Sequence, residues 1–177
     1  MNITVYLGAC EGCDPQLKQA VRELGTWIGT SGNSLVYGGS KTGLMGELAL
    51  AALEAGAEVT GVEPQFFVDS VLQLEGLTRL IVTPDIAERK AKMIEFGDAF
   101  VAFPGGTGTL EEISQIMSMI GLGQLDAPCV FYNLNGYYNP MAEQLDRMLA
   151  CDLTSPERLQ GISFARNLDE LVACLQA

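Results

Sequence analysis

The chain has 177 residues, 48% of them hydrophobic, and its 22 acidic against 10 basic side chains leave a net charge of −12. That length, with no break in composition, fits one domain, 1–177, able to bury a substantial core. The charge excludes a general attraction to nucleic acid phosphates or anionic membrane surfaces, because the summed field repels both.

In chain order, hydrophobic patterning alternates between strand and helix. Ile3 to Gly8 (ITVYLG) reads as a buried strand, and the following helix has Asp14 as N-cap, Pro15 at its first position and Leu17, Val21, Leu24 and Ile28 along one face. Ser34 to Gly39 is a strand, Leu44 to Ala55 a helix stopped at Gly56, EVTGV the next strand and Arg79 to Val82 another. A helix follows Pro84, and then DAFVAFPGG forms strand and turn, with a helix beginning at Thr109. The strand CVFYN, a helix across Met141 to Leu149, a short ISFA strand and a closing helix capped by Asn167 complete the chain. This alternation predicts an α/β fold of three layers, αβα, Rossmann-like, with a parallel sheet and helices on both faces. Ligands of such sheets gather at the carboxyl ends of the strands.

No apolar run reaches the roughly 18 residues of a membrane span, and MNITVYLG has no basic stretch ahead of an apolar one, so a soluble, cytoplasmic protein is expected. The chain has no histidine, which removes the commonest general base and zinc ligand together with every Ser-His or Cys-His pair. No metal site is expected. Five cysteines, Cys10, Cys13, Cys129, Cys151 and Cys174, read as reduced thiols. Cys10 and Cys13 form a lone CxxC between strand and helix, the place of a thioredoxin-like redox pair, but no second pair completes a zinc site and the long parallel alternation is not a thioredoxin pattern.

Two strand ends carry glycine clusters, VYGGSKTGLMG (Val36 to Gly46) and FPGGTGTLEE (Phe103 to Glu112). A P-loop ending at Lys41-Thr42 would need glycines at 35 and 40, where Leu35 and Ser40 stand. The dinucleotide fingerprint would need a glycine at 111, which is Glu111. The physics of those motifs is still available, since glycine permits a sharp turn and a helix start aims unpaired N–H groups at an anion. A phosphate could rest on Gly105 to Thr109, or the turns could simply close tight corners.

Glu112 also has two readings. Thr109-Leu110-Glu111-Glu112 matches a capping box, in which Glu112 folds back onto the N-cap amide. Against that, Ile113, Ile116, Met117 and Ile120 form the apolar stripe, and Glu112, Gln115 and Met119 lie a quarter turn away, beside the glycine turn. In DIAERKAKMIEF, Arg89 lies four residues after Asp85, which suits a surface ion pair, and Lys90 interrupts an apolar stripe. Alternatively the two cations neutralise a bound phosphate or hold a ribose hydroxyl.

PGGTGTLEE preceded by ERK resembles the Lonely Guy (LOG) family, whose signature is PGGxGTxxE after an Arg-Lys pair. The likeness spans most of the chain, through VYLGACEGCDP, LVYGGSKTGLMG, GDAFVAFPGGTGTLEEI and LDAPCVFYNLNGYYN in order. It implies a homodimer that hydrolyses the N-glycosidic bond of cytokinin riboside 5′-monophosphates, or of AMP, to free base and ribose 5-phosphate. By position it implies Arg89 and Glu112 as catalytic residues, Lys90 as a second basic residue, and Gly105, Gly106, Thr107, Gly108, Thr109 and Glu111 as the phosphate and ribose cradle. No cofactor is implied. The label lysine decarboxylase that such proteins have carried finds no pyridoxal phosphate signature here.

Where many members read MHxRK, this chain has Ile86-Ala87-Glu88-Arg89-Lys90; where they have a further Glu and W-x-Q-L, it has Gln115 and Met119-Ile120-Gly121-Leu122; and Ala9 and Cys10 replace early serines. These departures spare the ribose-phosphate residues and fall around the base, so a nucleoside monophosphate is the expected substrate class ahead of a cytokinin. The rival expectation is a non-catalytic nucleotide or molybdenum-cofactor carrier of the same superfamily.

Overall fold

The computed structural model describes residues 1–70 and 72–176. Its elements run β1 (Asn2–Tyr6), α1 (Gln16–Thr30), β2 (Ser34–Tyr37), α2 (Gly43–Glu54), β3 (Val59–Pro64), α3 (Gln65–Val68) and β4 (Arg79–Thr83). They continue with α4 (Ile86–Glu95), β5 (Ala99–Ala102), α5 (Thr107–Gly121), β6 (Cys129–Tyr132), α6 (Asn139–Ala150), β7 (Ile162–Ala165) and α7 (Leu168–Leu175). The strands form one seven-stranded sheet in the order β4-β3-β2-β1-β5-β6-β7, every neighbouring pair parallel.

Alternation along the strands divides the core into two layers. Ile3, Val5 and Leu7 face one side, where they meet Val21, Leu24 and Ile28 of α1, Leu48 and Ala52 of α2, and Leu171 of α7. Tyr6, Val36, Val62, Phe100 and Phe131 face the other, against Met93 of α4, Ile113 and Ile116 of α5, and Tyr138. A parallel sheet buried on both faces needs near-continuous apolar strands. β5 is apolar throughout, and in β1 the buried Thr4 satisfies its hydroxyl by donating to the Met93 carbonyl at 3.0 Å. This is the three-layer α/β arrangement expected from the sequence.

Capping follows local chemistry at several starts. α1 starts at Gln16 with Pro15 as its N-cap, one residue later than expected, and the Asp14 carboxylate accepts the Gln16 N–H at 2.9 Å. Asn167 accepts from Glu170 N–H at 2.9 Å, and Gly56, with φ +88°, ends the turn after α2.

Two boundaries differ from expectation in ways that matter. β3 continues past Val62 through Glu63 to Pro64, paired with β4 to its end. α5 starts at Thr107 with Gly106 as N-cap, two residues before Thr109. The four-residue α3, QFFV, is too short to leave a periodic signature. No helix among the described residues is long and apolar enough to cross a membrane.

Candidate active site

The chain builds β1 to β4 outward in one direction, then returns to lay β5 on the far side of β1. At such a switch point the loops leaving two adjacent strands diverge and open a crevice at their carboxyl ends. Here the crevice is a cavity of about 600 Å³, and both glycine clusters line it: Gly38, Ser40 and Thr42 after β2, and Gly105 to Thr109 after β5.

Close backbone approach explains the glycines at its floor. A Cβ placed on Gly105 would lie 2.9 Å from the Gly8 nitrogen and closer still to the Thr109 hydroxyl. Gly106 and Gly108 have the opposite environment, with nothing within 4 Å of where a Cβ would stand. Their backbone is open to a ligand. Gly106 is an N-cap without a side-chain acceptor, and no acidic residue occupies the first turn of α5. The N–H groups of Thr107, Gly108 and Thr109 therefore start the helix with its positive dipole end toward the cavity, a setting suited to phosphate in a protein of net charge −12.

Thr109 is buried inside this first turn, which removes the capping-box reading of Glu112. Glu112 lies in the helix proper and is 8% exposed. Its Oε1 accepts from Arg89 Nη1 at 2.5 Å. Arg89 reaches it from α4, and its Nε donates to the Val62 carbonyl at 3.0 Å. The surface pair between Asp85 and Arg89 does not form, because Asp85 instead caps α4 by accepting the Glu88 N–H at 2.8 Å. One turn of α4 thus sends Arg89 inward while its cap stays in solvent.

Lys90, next along α4, donates to Glu111 Oε1 at 2.6 Å. Two adjacent ion pairs therefore tie α4 to α5, one nearly closed from solvent and one at its rim, where the Glu111 side chain is 61% exposed. All nine site residues singled out from the sequence line this one cavity.

Burial pushes the Glu112 carboxyl above the ordinary glutamate range, while the charge and hydrogen bond of Arg89 pull it back down. The guanidinium favours the carboxylate, but desolvation is the larger influence.

Some site residues escaped sequence reasoning. Tyr137 donates its hydroxyl to the Gly105 carbonyl at 2.6 Å, and Tyr138 donates to the Phe103 carbonyl at 2.9 Å, so the turn after β5 is held from the segment after β6. The adjacent tyrosines in NGYYN were the visible signal. Glu63 is 1% exposed, lines the cavity, and its Oε2 has no hydrogen-bond partner. A lone acid between Val62 and Pro64 at the end of an apolar strand was its signal.

Cys10 and Cys13 of the CxxC are free and exposed. Among the described residues, no group of three or more acidic or cysteine side chains is placed to hold a metal ion.

Comparison with known proteins follows the same lines. A family described as "Possible lysine decarboxylase" matches residues 45–175. A cytokinin riboside 5′-monophosphate phosphoribohydrolase of Rhodococcoides fascians is 36% identical over 177 residues, covering 99% of this chain and 89% of the relative. One of Arabidopsis thaliana with the same activity in its name is 35% identical over 175 residues, covering 99% and 82%. Among solved structures, a molybdenum cofactor carrier protein from Chlamydomonas reinhardtii superposes with a TM-score of 0.75 at 22% identity, covering 99% of this chain and 95% of that one. A molybdenum cofactor binding protein from Rippkaea orientalis gives 0.71 at 19% identity, covering 99% and 94%. Likeness at that identity carries the fold and not the ligand.

Proposed function

The chain belongs to the Lonely Guy (LOG) family, and from that premise we propose that it hydrolyses the N-glycosidic bond of nucleoside 5′-monophosphates, such as AMP or isopentenyladenosine monophosphate. The products are the free base and ribose 5-phosphate. The observation that carries this reading is the largely buried Arg89–Glu112 pair, set in the wall of the cavity whose floor is the amide turn of Gly105 to Thr109.

The chemistry runs from that geometry. The phosphate binds at the start of α5, against the N–H groups of Thr107, Gly108 and Thr109, with Gly106 and Gly108 leaving room for it. Breaking the ribosyl C–N bond develops positive charge on the sugar, and a carboxylate beside it stabilises the transition state more than the ground state. Glu112 is that carboxylate, and it accepts the proton of the attacking water. Arg89, anchored on the Val62 carbonyl, fixes Glu112 and favours its ionised form. Lys90 and Glu111 form the rim toward the ribose and phosphate.

The carrier reading rests on fold likeness at 19% to 23% identity, whereas the hydrolase reading rests on relatives of 33% to 36% identity and on a charge pair suited to the reaction. The protein acts in the cytoplasm as a homodimer of the single domain 1–177, and the exposed Leu110 and Leu122 on the α5 segment suit a partner subunit. Incubating the protein with AMP, isopentenyladenosine monophosphate and adenosine tests the function. Ribose 5-phosphate from either monophosphate, with adenosine left intact, supports it; retention of bound nucleotide without cleavage favours the carrier.

A further inference from the structure

We propose that Glu63 is the general acid of this site, donating the proton that the base needs in order to leave. The inference rests on the hydrolase reading above and supplies what that reading lacks, a group to protonate a poor leaving nitrogen in a chain with no histidine.

Glu63 stands on the opposite wall from the phosphate turn. The sheet order places β3 three strand steps from β5, or about 14 Å at the usual spacing, with β2 and β1 between. A nucleotide whose phosphate sits at the end of β5 has its sugar over the middle strands and its base toward β3. Apolar side chains line that end, with Met45, Phe67 and Leu72 on the cavity wall beside Glu63. One carboxyl among them is what a heterocycle with ring nitrogens would meet.

The carboxyl is also tied to the catalytic pair through the backbone. The Val62 carbonyl that accepts from Arg89 Nε belongs to the residue just before Glu63. The two glycines ending β2 separate the side chains: a Cβ on Gly38 would stand 2.6 Å from Arg89 Nη2, and one on Gly39 would stand 3.4 Å from Glu63 Oε2. Gly39 holds φ +90°, so a side chain there is strained as well as crowded. Arg89 and Glu63 thus flank one dipeptide, and the same cavity touches both.

Among the described residues, none hydrogen-bonds to Glu63 Oε2, and the residue is 1% exposed, a costly state for a purely structural acid. Burial raises the carboxyl above the ordinary glutamate range, with Arg89 from α4 opposing, and Tyr37 from β2 is the other titratable group that senses its charge. A carboxyl whose neutral form burial favours holds a proton it can give away.

The step balances within the site. As the C1′–N bond breaks, its electron pair goes to the base and the Glu63 proton is transferred to a base nitrogen. Water adds to C1′ and loses a proton to Glu112. The cycle closes when Glu112 gives its proton to solvent and Glu63 regains one.

The test compares wild type with Glu63→Gln, which keeps shape and volume but cannot donate an acidic proton. On AMP the variant should lose about 100-fold or more in kcat, yet on 4-nitrophenyl ribofuranoside 5-phosphate, whose leaving group needs no protonation, it should stay within about threefold of wild type. The alkaline fall in the wild-type kcat/KM profile on AMP should be absent in the variant. A variant with raised KM and unchanged kcat on AMP would make Glu63 a base-binding residue and overturn the proposal. Equal losses on both substrates would make it structural, with the same consequence. Wild type inactive on both substrates would overturn the hydrolase reading and this proposal together.

Discussion

Arg89 and Glu112, which are 23 residues apart in the chain, meet at 2.5 Å, while the same guanidinium donates to the Val62 carbonyl at 3.0 Å. Their side chains are 11% and 9% exposed, so each charge is largely shielded from bulk solvent. Removing one member of such a pair leaves the other uncompensated, at a cost of about 3 kcal/mol or more. Arg89→Met should therefore lower stability by that order in denaturant unfolding, as well as abolish turnover. Glu112→Gln, which can still accept from Arg89, should unfold much closer to wild type while losing about 100-fold or more in kcat.

The glycine turn separates crowding from ligand access. Gly105→Ala forces a Cβ against the Gly8 nitrogen and Thr109, and should cost about 1 to 3 kcal/mol in thermal or denaturant unfolding. Gly106→Ala meets no protein atom, so its stability should stay near wild type while its KM for AMP rises, because the new methyl group enters the phosphate space. The contrast checks whether this turn is a cradle or only a corner.

The pH profile follows from the Glu112 environment. Burial raises its carboxyl, and Arg89 opposes that rise only in part. Glu112 must be ionised to accept a proton from water, so kcat/KM on AMP should fall as pH is lowered through a midpoint above the ordinary glutamate range. A pH series of initial rates checks this, and the acid limb should be missing from the residual activity of Glu112→Gln.

Cys13 is exposed and free, and a dithiol mechanism would require it as well as Cys10. Cys13→Ser should leave the rate of AMP cleavage unchanged, with and without a reducing agent in the assay.

Much of this architecture is legible in the chain. Strand and helix alternate with clear punctuation, and Asp14, Gly56 and Asn167 mark boundaries through local hydrogen bonds or backbone conformation. The Arg-Lys pair and PGGTGTLEE, separate in the chain, line one cavity. Local patterns failed where tertiary contacts compete with them. Thr109 and Glu112 have capping-box spacing, but the helix starts at Thr107 with Gly106 as its N-cap, and Glu112 accepts from Arg89 instead. Asp85 and Arg89 have ion-pair spacing, yet a buried carboxylate on α5 and the Val62 carbonyl are stronger partners than a solvated one. Glu63 and Tyr137 depend on which strands and loops end side by side, which no local window contains.

The most direct test of the central claim measures AMP binding by calorimetry and ribose 5-phosphate release in parallel, for wild type and Glu112→Gln. Wild type should release ribose 5-phosphate and adenine in equal amounts, and the variant should bind AMP but release about 100-fold less per unit time. Wild type that binds AMP and releases nothing, or a Glu112→Gln variant that cleaves as fast as wild type, would contradict the account.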